Sequence, residues 1–287
     1  MLVTVFTPTY NRGYIIGELY KSLCNQTCND FEWIIVDDGS TDNTETIVTG
    51  FGKDDMIPIR YIWQENGGKH RAINRGVKEA KGELFYIVDS DDRLAEMAIE
   101  IIKSQYKEVR VSGIYAGVCG VCAYFNGERV GGDLAFTTIN CNAVDLRYKY
   151  NIKGDMSEVF RTSVMKEFPF PEIDGERFCP EALVWNRISD KYIMRYFNEK
   201  IYFCEYRNDG LTASIVKVRM QSPTASTMYY SELIKKDIPF KQKIKASINY
   251  WRFYFFKLKV NKPKISFAWR LTMPIGYVMH INDLRRL

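Results

Sequence analysis

The first ninety or so residues alternate between short apolar runs and amphipathic stretches, and this constrains the fold more than any other feature. Leu2–Phe6 leads into Thr7-Pro8-Thr9-Tyr10, Phe31–Val36 into Asp37-Asp38-Gly39-Ser40, and Leu84–Val88 into Asp89-Ser90-Asp91-Asp92. A further run, Ile59–Trp63, precedes QENGGKHRAINRG. Continuous apolar runs of this length fit strands of a parallel-sheet core. Between them Ile15, Leu19 and Leu23 recur at helical spacing with Ile16 beside them, and Ala72, Ile73, Val77 and Ala80 share one face. A third helix is expected over Thr44–Phe51, with Ser40 or Asp42 as its N-cap. The order β-α-β-α-β-α-β predicts an α/β fold with a parallel, doubly wound sheet and right-handed crossovers. Ligands of such sheets bind beyond the carboxyl ends of the strands. Thr7–Tyr10, Asp37/Asp38 and Asp89–Asp92 all fall there, so one pocket can collect them.

The acidic turn after Val88 carries the chemistry. Asp89 and Asp91 lie on the same side of an extended backbone. Two carboxylates about 6 Å apart repel by roughly 3 kcal/mol at an effective dielectric near 20. A divalent cation removes that penalty, and hard oxygen ligands suit Mg²⁺ or Mn²⁺. The alternative is an Asp-rich turn that caps a helix starting near Arg93. Neither G-x-G-x-x-G after the first strand nor a Walker sequence occurs. A nucleotide here is therefore expected to be gripped by acidic and hydroxyl groups, its diphosphate neutralised by a metal. Asp38 can accept from a pyrimidine imide N–H, and Asp89 from ribose hydroxyls.

TPTYNR at 7–12, VDDGSTDNT at 36–44, ENGGKHRAINRG at 65–76 and VDSDD at 88–92 together resemble the inverting family 2 glycosyltransferases. The resemblance is dense over residues 1–95, looser to about 215, and does not reach the C-terminal tail. It implies a GT-A fold, Rossmann-like and mainly parallel, a nucleotide-sugar donor and a Mn²⁺ or Mg²⁺ ion. It places Asp89 on ribose and Asp91 on the metal, with Ser90 and Asp92 beside them. It maps the uracil contacts onto Thr7, Pro8, Tyr10 and Asp38, with Lys69 to Arg71 nearby. Such chemistry also needs a carboxylate base opposite the leaving group. The family carries it in an acidic pair before a Trp-containing helix. The matching stretch here is PFPEIDGERFCPEALVWNRIS, residues 169–189, and Glu181 is the candidate. Pro180-Glu181 replaces the family's Glu-Asp pair. Glu176 and Asp174 compete, and Glu181 also reads as a first-turn helix acid after Pro180. Asp155 and Trp185 are placed on the acceptor side, Asp155 with helix capping as its alternative. Tyr206–Ser214 is expected in the acceptor wall.

The expected organisation is a catalytic domain over residues 1–220, with a nucleotide-sugar half (1–110) and an acceptor half (111–220), and a helical tail over 221–287. The formal net charge of +5 hides an asymmetry. From Lys235 to Leu287 thirteen Lys/Arg face Asp237 and Asp283, giving +11, so residues 1–234 carry 5 − 11 = −6. Tyr250, Trp251, Phe253, Tyr254, Phe255 and Phe256 interleave with this charge. Such a segment fits a helix lying in an anionic membrane interface. The alternative is a tail packed on the catalytic domain with a solvated basic face. Nucleic-acid binding is not supported, because no fold of that kind is recognised.

The seven scattered Cys and an N-terminus that starts directly as a strand point to a reducing cytoplasm, with peripheral attachment to the membrane's cytoplasmic face. Cys119/Cys122 and Cys24/Cys28 lack further ligands at zinc spacing and read as buried thiols. The functional expectation is single-sugar transfer, from a donor expected to be UDP-linked, to a glycan or lipid-linked acceptor in surface polysaccharide or glycoconjugate synthesis. The chain shows no Gln-x-x-Arg-Trp motif and no apolar stretch of about 18 residues. The alternative is a non-catalytic sugar-nucleotide or glycan binder on the same fold, docked at membranes.

Overall fold

The computed structural model describes residues 2–207, 214–257 and 263–285. Its strands are β1 (Val3–Thr9), β2 (Phe31–Asp37), β3 (Ile59–Trp63), β4 (Leu84–Ile87), β5 (Arg93–Leu94), β6 (Tyr115–Tyr124), β7 (Thr138–Cys141), β8 (Met156–Arg161) and β9 (Ile193–Cys204). The helices are α1 (Ile16–Cys24), α2 (Thr44–Lys53), α3 (Lys69–Glu79), α4 (Ala98–Lys107), α5 (Ala143–Tyr148), α6 (Thr162–Glu167) and α7 (Glu181–Ile188). The tail adds α8 (Ile215–Gln221), α9 (Pro223–Leu233), α10 (Phe240–Tyr254), a 3₁₀ turn (Phe267–Thr272) and α11 (Met273–Leu284).

One nine-stranded sheet runs in the order β3-β2-β1-β4-β8-β6-β9-β5, with β7 on β9. The pairs among β3, β2, β1 and β4 are parallel, as is β6 with β9. The antiparallel pair β4–β8 fuses the N-terminal half to the rest. Helices cover both faces, as the βαβ alternation predicts. Ile16, Leu19, Val48 and Ile102 from α1, α2 and α4 join one core with Val3, Val5 and Trp33. Ala72, Val77, Val164 and Leu183 from α3, α6 and α7 join the other with Phe6, Ile34 and Phe85. Every residue of β2 is buried. Each fully buried Ile or Val there stabilises the fold by about 1.5–3 kcal/mol. β1 runs past Phe6 to Thr9, so the first polar segment is itself strand.

The tail begins as part of the body. Arg187 on α7 pairs with Glu232 on α9 at 2.7 Å, and Ala225 joins the second core. A third core gathers Leu233, Ile238, Ala246, Tyr250 and Trp251. This corrects the interfacial expectation for the aromatic run: Tyr250, Trp251 and Phe253 are buried. No helix among the described residues is long and apolar enough to cross a membrane. All seven cysteines are free. Cys119 and Cys122 are buried in β6, and burial pushes both thiols up.

Candidate active site

The carboxyl ends of β1 and β2 are tied together before any ligand is considered. Thr9 registers with Asp37, and the Asp38 N–H donates to the Thr9 carbonyl at 2.8 Å. Asp37 is buried and structural: its carboxylate accepts from the Ser40 N–H and the Tyr61 hydroxyl, each at 2.7 Å. The Ser40 hydroxyl accepts from the Asn11 N–H at 2.8 Å, so it joins loops rather than capping α2. Asp38 gathers the segment before α3. Its Oδ1 accepts from Gln64 Nε2 and the Gly67 N–H at 2.8 Å, and its Oδ2 from the Gly68 N–H at 2.7 Å. Gly68 has φ 97°, and a Cβ there would collide with the Arg177 carbonyl. Only glycine lets α3 start at this point.

Lys69, the first residue of α3, is the hub. Its Nζ lies 2.7 and 2.9 Å from the two Asp89 oxygens and 2.9 Å from Glu181 Oε1. Burial pulls the ammonium's pKa down, but Asp89 and Glu181 outweigh it and push it up. Lys69 therefore stays charged and holds both carboxylates, one from the acidic turn and one from α7.

The acidic turn is closed by the Asp92 N–H donating to the Asp89 carbonyl at 3.1 Å. Tyr202 of β9 clamps it from below, accepting from the Asp89 N–H at 3.0 Å and donating to Asp92 Oδ2 at 2.5 Å. Burial and then the Asp89 charge push the Asp92 carboxyl up to about 8. The same two causes raise Asp91, which is half-buried and forms no ion pair among the described residues. A half-buried carboxylate in that state is a site where a cation lowers the energy, and its hard oxygens fit Mg²⁺ or Mn²⁺. No three His, Cys, Asp or Glu side chains among the described residues converge to hold a metal by themselves. A diphosphate would have to supply further ligands. The helix-capping alternative fails, because β5 follows the turn and α4 starts only at Ala98 with no side-chain cap.

Glu181 occupies the first position of α7 after Pro180, so its helix-acid placement and its contact with Lys69 coexist. Its competitors are elsewhere. Buried Glu176 caps α9, accepting from the Thr224 and Ala225 N–H groups at 2.8 and 2.9 Å. Asp174 is exposed. Glu158 on β8 escaped the sequence reading; burial, augmented by the Glu181 charge, pushes it up to about 7.

The other expected site residues differ in burial and partners. The Thr7 side chain is fully buried, and its hydroxyl accepts from the Trp33 indole at 2.9 Å. Ser90 is buried at 4% exposure, so its hydroxyl does not open onto the pocket. Arg71 is held by Glu172 and the Ile173 carbonyl, both at 3.1 Å. Trp185 packs on Phe160 and Phe170, with ring centroids 4.5 and 5.7 Å apart, and serves the second core. Pro8 is half-buried, and Tyr10 stands 49% exposed at the rim. Asp155 accepts from the Tyr206 hydroxyl at 2.7 Å and precedes a strand, which removes its helix-capping alternative. Residues 208–213 of the expected acceptor wall lie outside the described residues.

His70, next to the hub, is 3% exposed, and burial lowers its pKa to about 4. A base depressed below its ordinary value of about 6.5 contributes stability above that pH and loses it as pH falls toward 4. Asp92 and Glu158 act oppositely over an overlapping range, since raised carboxyls lose stability as pH rises. The His70 effect is therefore read against His70→Gln, in which the other two cancel. Between pH 7 and pH 4 the wild type should lose about 3 kcal/mol more than the variant in urea unfolding. Parallel pH profiles would show that His70 is not buried neutral.

The family model described as glycosyl transferase family 2 matches residues 4–157, more than half of the 287-residue chain. Over 231 residues the chain is 29% identical to glycosyltransferase GlyG of Streptococcus pneumoniae serotype 4, covering 73% of this chain and 72% of that one. Over 223 residues it is 28% identical to the GalNAc(5)-diNAcBac-PP-undecaprenol beta-1,3-glucosyltransferase of Campylobacter jejuni, covering 75% and 68%. Among solved structures, S. aureus TarS 1-349 in complex with UDP-GlcNAc aligns with a TM-score of 0.63 at 20% identity, over 96% of this chain and 79% of that one. The mannosyltransferase PcManGT from Pyrobaculum calidifontis, in complex with GDP-Man and Mn2+, aligns at 0.58 and 18%, over 99% and 75%. The solved structures bear on the fold, and the family match on the lineage. The chain belongs to glycosyl transferase family 2, and it is a glycosyltransferase built on the GT-A fold.

Proposed function

We propose that the protein moves one sugar, with inversion, from a UDP-sugar to a glycan carried on a lipid-linked acceptor, in the synthesis of a surface polysaccharide or glycoconjugate. The observation that carries this reading is the Lys69 bridge: one ammonium holds Asp89 of the donor-side turn and Glu181 of α7. On this reading the bridge gathers the base and a donor-binding acid into the same small site. The Campylobacter relative's name, with its undecaprenol-linked acceptor, supports the choice of acceptor.

In this scheme Asp89 accepts from the ribose hydroxyls. Asp38 has three of roughly four acceptor positions filled, which leaves about one for a uracil imide N–H. Tyr10 flanks the base at the rim, while Thr7 and Pro8 contribute through their backbone. Asp91 would hold Mn²⁺ or Mg²⁺, which when bound neutralises charge on the departing diphosphate. Glu181 takes the proton of the acceptor hydroxyl as that oxygen bonds to the sugar carbon. The bond from that carbon to the UDP oxygen breaks on the opposite face. Lys69 orients Glu181 through their ion pair, and Asp155 with Tyr206 lines the acceptor side. A non-catalytic binder would have no use for a carboxylate held ready in this way.

Thermal stabilisation by a panel of nucleotide sugars with Mn²⁺ tests the donor. A UDP-sugar should stabilise the protein more than GDP-, CMP- or dTDP-linked sugars do. Stronger stabilisation by a GDP- or CMP-linked sugar would remove the uracil assignment of Asp38 and Tyr10, and by a dTDP-linked sugar the ribose assignment of Asp89.

A further inference from the structure

The apolar surface that faces outward in the tail is not the aromatic run on α10 but the segment after it. Gly276, His280 and Asp283 form the inner side of α11. Arg252 of α10 closes on Asp283 at 2.5 and 2.7 Å, and a side chain at position 276 would collide with Trp251. The outer side is open. Phe267 is 75% exposed, Leu271 87%, Ile275 54% and Val278 58%. Leu271, Ile275 and Val278, four and three residues apart, make one ridge along the end of the 3₁₀ turn and α11, and Phe267 stands exposed at the start of that turn. From Leu271 to Asn282 the sequence LTMPIGYVMHIN contains no Asp, Glu, Lys or Arg. An exposed apolar strip with no charge over this length is an interaction surface rather than scattered exposure.

Its margins are basic. Arg270 stacks its guanidinium on the Phe267 ring at 4.7 Å, and exposed Lys264 precedes the turn. On α10, exposed Lys241 and Lys245 continue the row of Ile248 and Arg252, the row that meets α11. Contact between the Phe240 and Trp269 rings at 5.8 Å brings the start of α10 beside the turn. Of the two acids in 235–287, Asp283 is turned inward onto Arg252, in a segment carrying +11. A second copy would bring two such tails together against their mutual repulsion. An anionic lipid surface satisfies both the ridge and its rim.

We infer that this ridge seats the protein on an anionic bilayer, with α11 lying in the interface. Leu271, Ile275 and Val278 enter the acyl boundary, and Lys241, Lys245, Lys264 and Arg270 sit among the headgroups. The inference is independent of the transfer chemistry and would stand if the donor were not a UDP-sugar.

Flotation of the full-length chain with vesicles tests it, using phosphatidylcholine alone or mixed with phosphatidylglycerol. The wild type should float with the mixed vesicles and stay behind with phosphatidylcholine. Lys241→Gln with Lys245→Gln should weaken binding by roughly 30-fold. Leu271→Asp with Ile275→Asp should abolish it at an unchanged melting temperature, which shows that the fold is intact. Four results would overturn the proposal. They are no flotation of the wild type, equal flotation on both lipids, undiminished binding by the aspartate variant, or a concentration-dependent wild-type oligomer that the aspartate variant loses.

Discussion

Glu181→Gln is expected to lower kcat by about 10²–10⁴, the usual contribution of a positioned base, while leaving UDP affinity nearly unchanged. The substitution keeps the size and shape of the side chain and removes its ability to take a proton. Lys69 loses one of its two carboxylate partners but keeps both Asp89 oxygens at 2.7 and 2.9 Å, so the donor-side turn stays organised. The helix-dipole contribution of a first-turn acid is only about 0.3–1 kcal/mol, too small to unfold α7. Steady-state transfer assays paired with UDP titration calorimetry separate the two effects. Transfer within tenfold of wild type would mean that another carboxylate is the base. Glu158 is then the residue to substitute, because Glu176 is spent on the N-terminus of α9.

Asp91→Ala should remove the Mn²⁺-dependent part of donor-induced thermal stabilisation and cut kcat/KM by about 10²–10⁴, since a metal's charge stabilisation is worth several kcal/mol. Without metal or donor the same variant should melt no lower than the wild type, and somewhat higher. Burial and the neighbouring Asp89 already raise the Asp91 carboxyl, so its removal relieves repulsion in the empty site. A variant that melts lower but keeps its manganese response would contradict both halves of this expectation.

The parallel part of the sheet, β1 to β4, was legible because buried parallel strands write themselves as unbroken apolar runs, and the acidic turns follow from where those runs stop. The strand period of two carries more than the motif does. Val3 and Val5 lie in the first core and Phe6 in the second, so Thr7 falls with Val5 against Trp33. Beyond β4 the chain turns, and it is the turn that leaves Asp89 and Asp91 half-exposed while Ser90 and Asp92 are buried at 4% and 9%. The burial of Thr7 was thus available from spacing, and motif membership had obscured it; that of Ser90 depends on the turn. Tyr202 was not available. It stands 110 residues from Asp92, and only the order β8-β6-β9-β5 brings it beneath the turn. The Lys69 bridge to Glu181 likewise depends on the tertiary fold, which brings the first residue of α7 to the first residue of α3 across 112 positions of sequence. In the tail, composition revealed charge and aromatics but not which face is buried. Tyr250 and Phe253, three apart, turn inward, and the open apolar face belongs to α11.

Crystals grown with UDP and Mn²⁺ and measured at the manganese edge test the central assignment most directly. The expected result is an anomalous peak coordinated by Asp91 and the diphosphate, with the uracil between Tyr10 and Asp38. Manganese bound away from Asp91, or UDP lodged anywhere but the carboxyl ends of β1, β2 and β4, would contradict it.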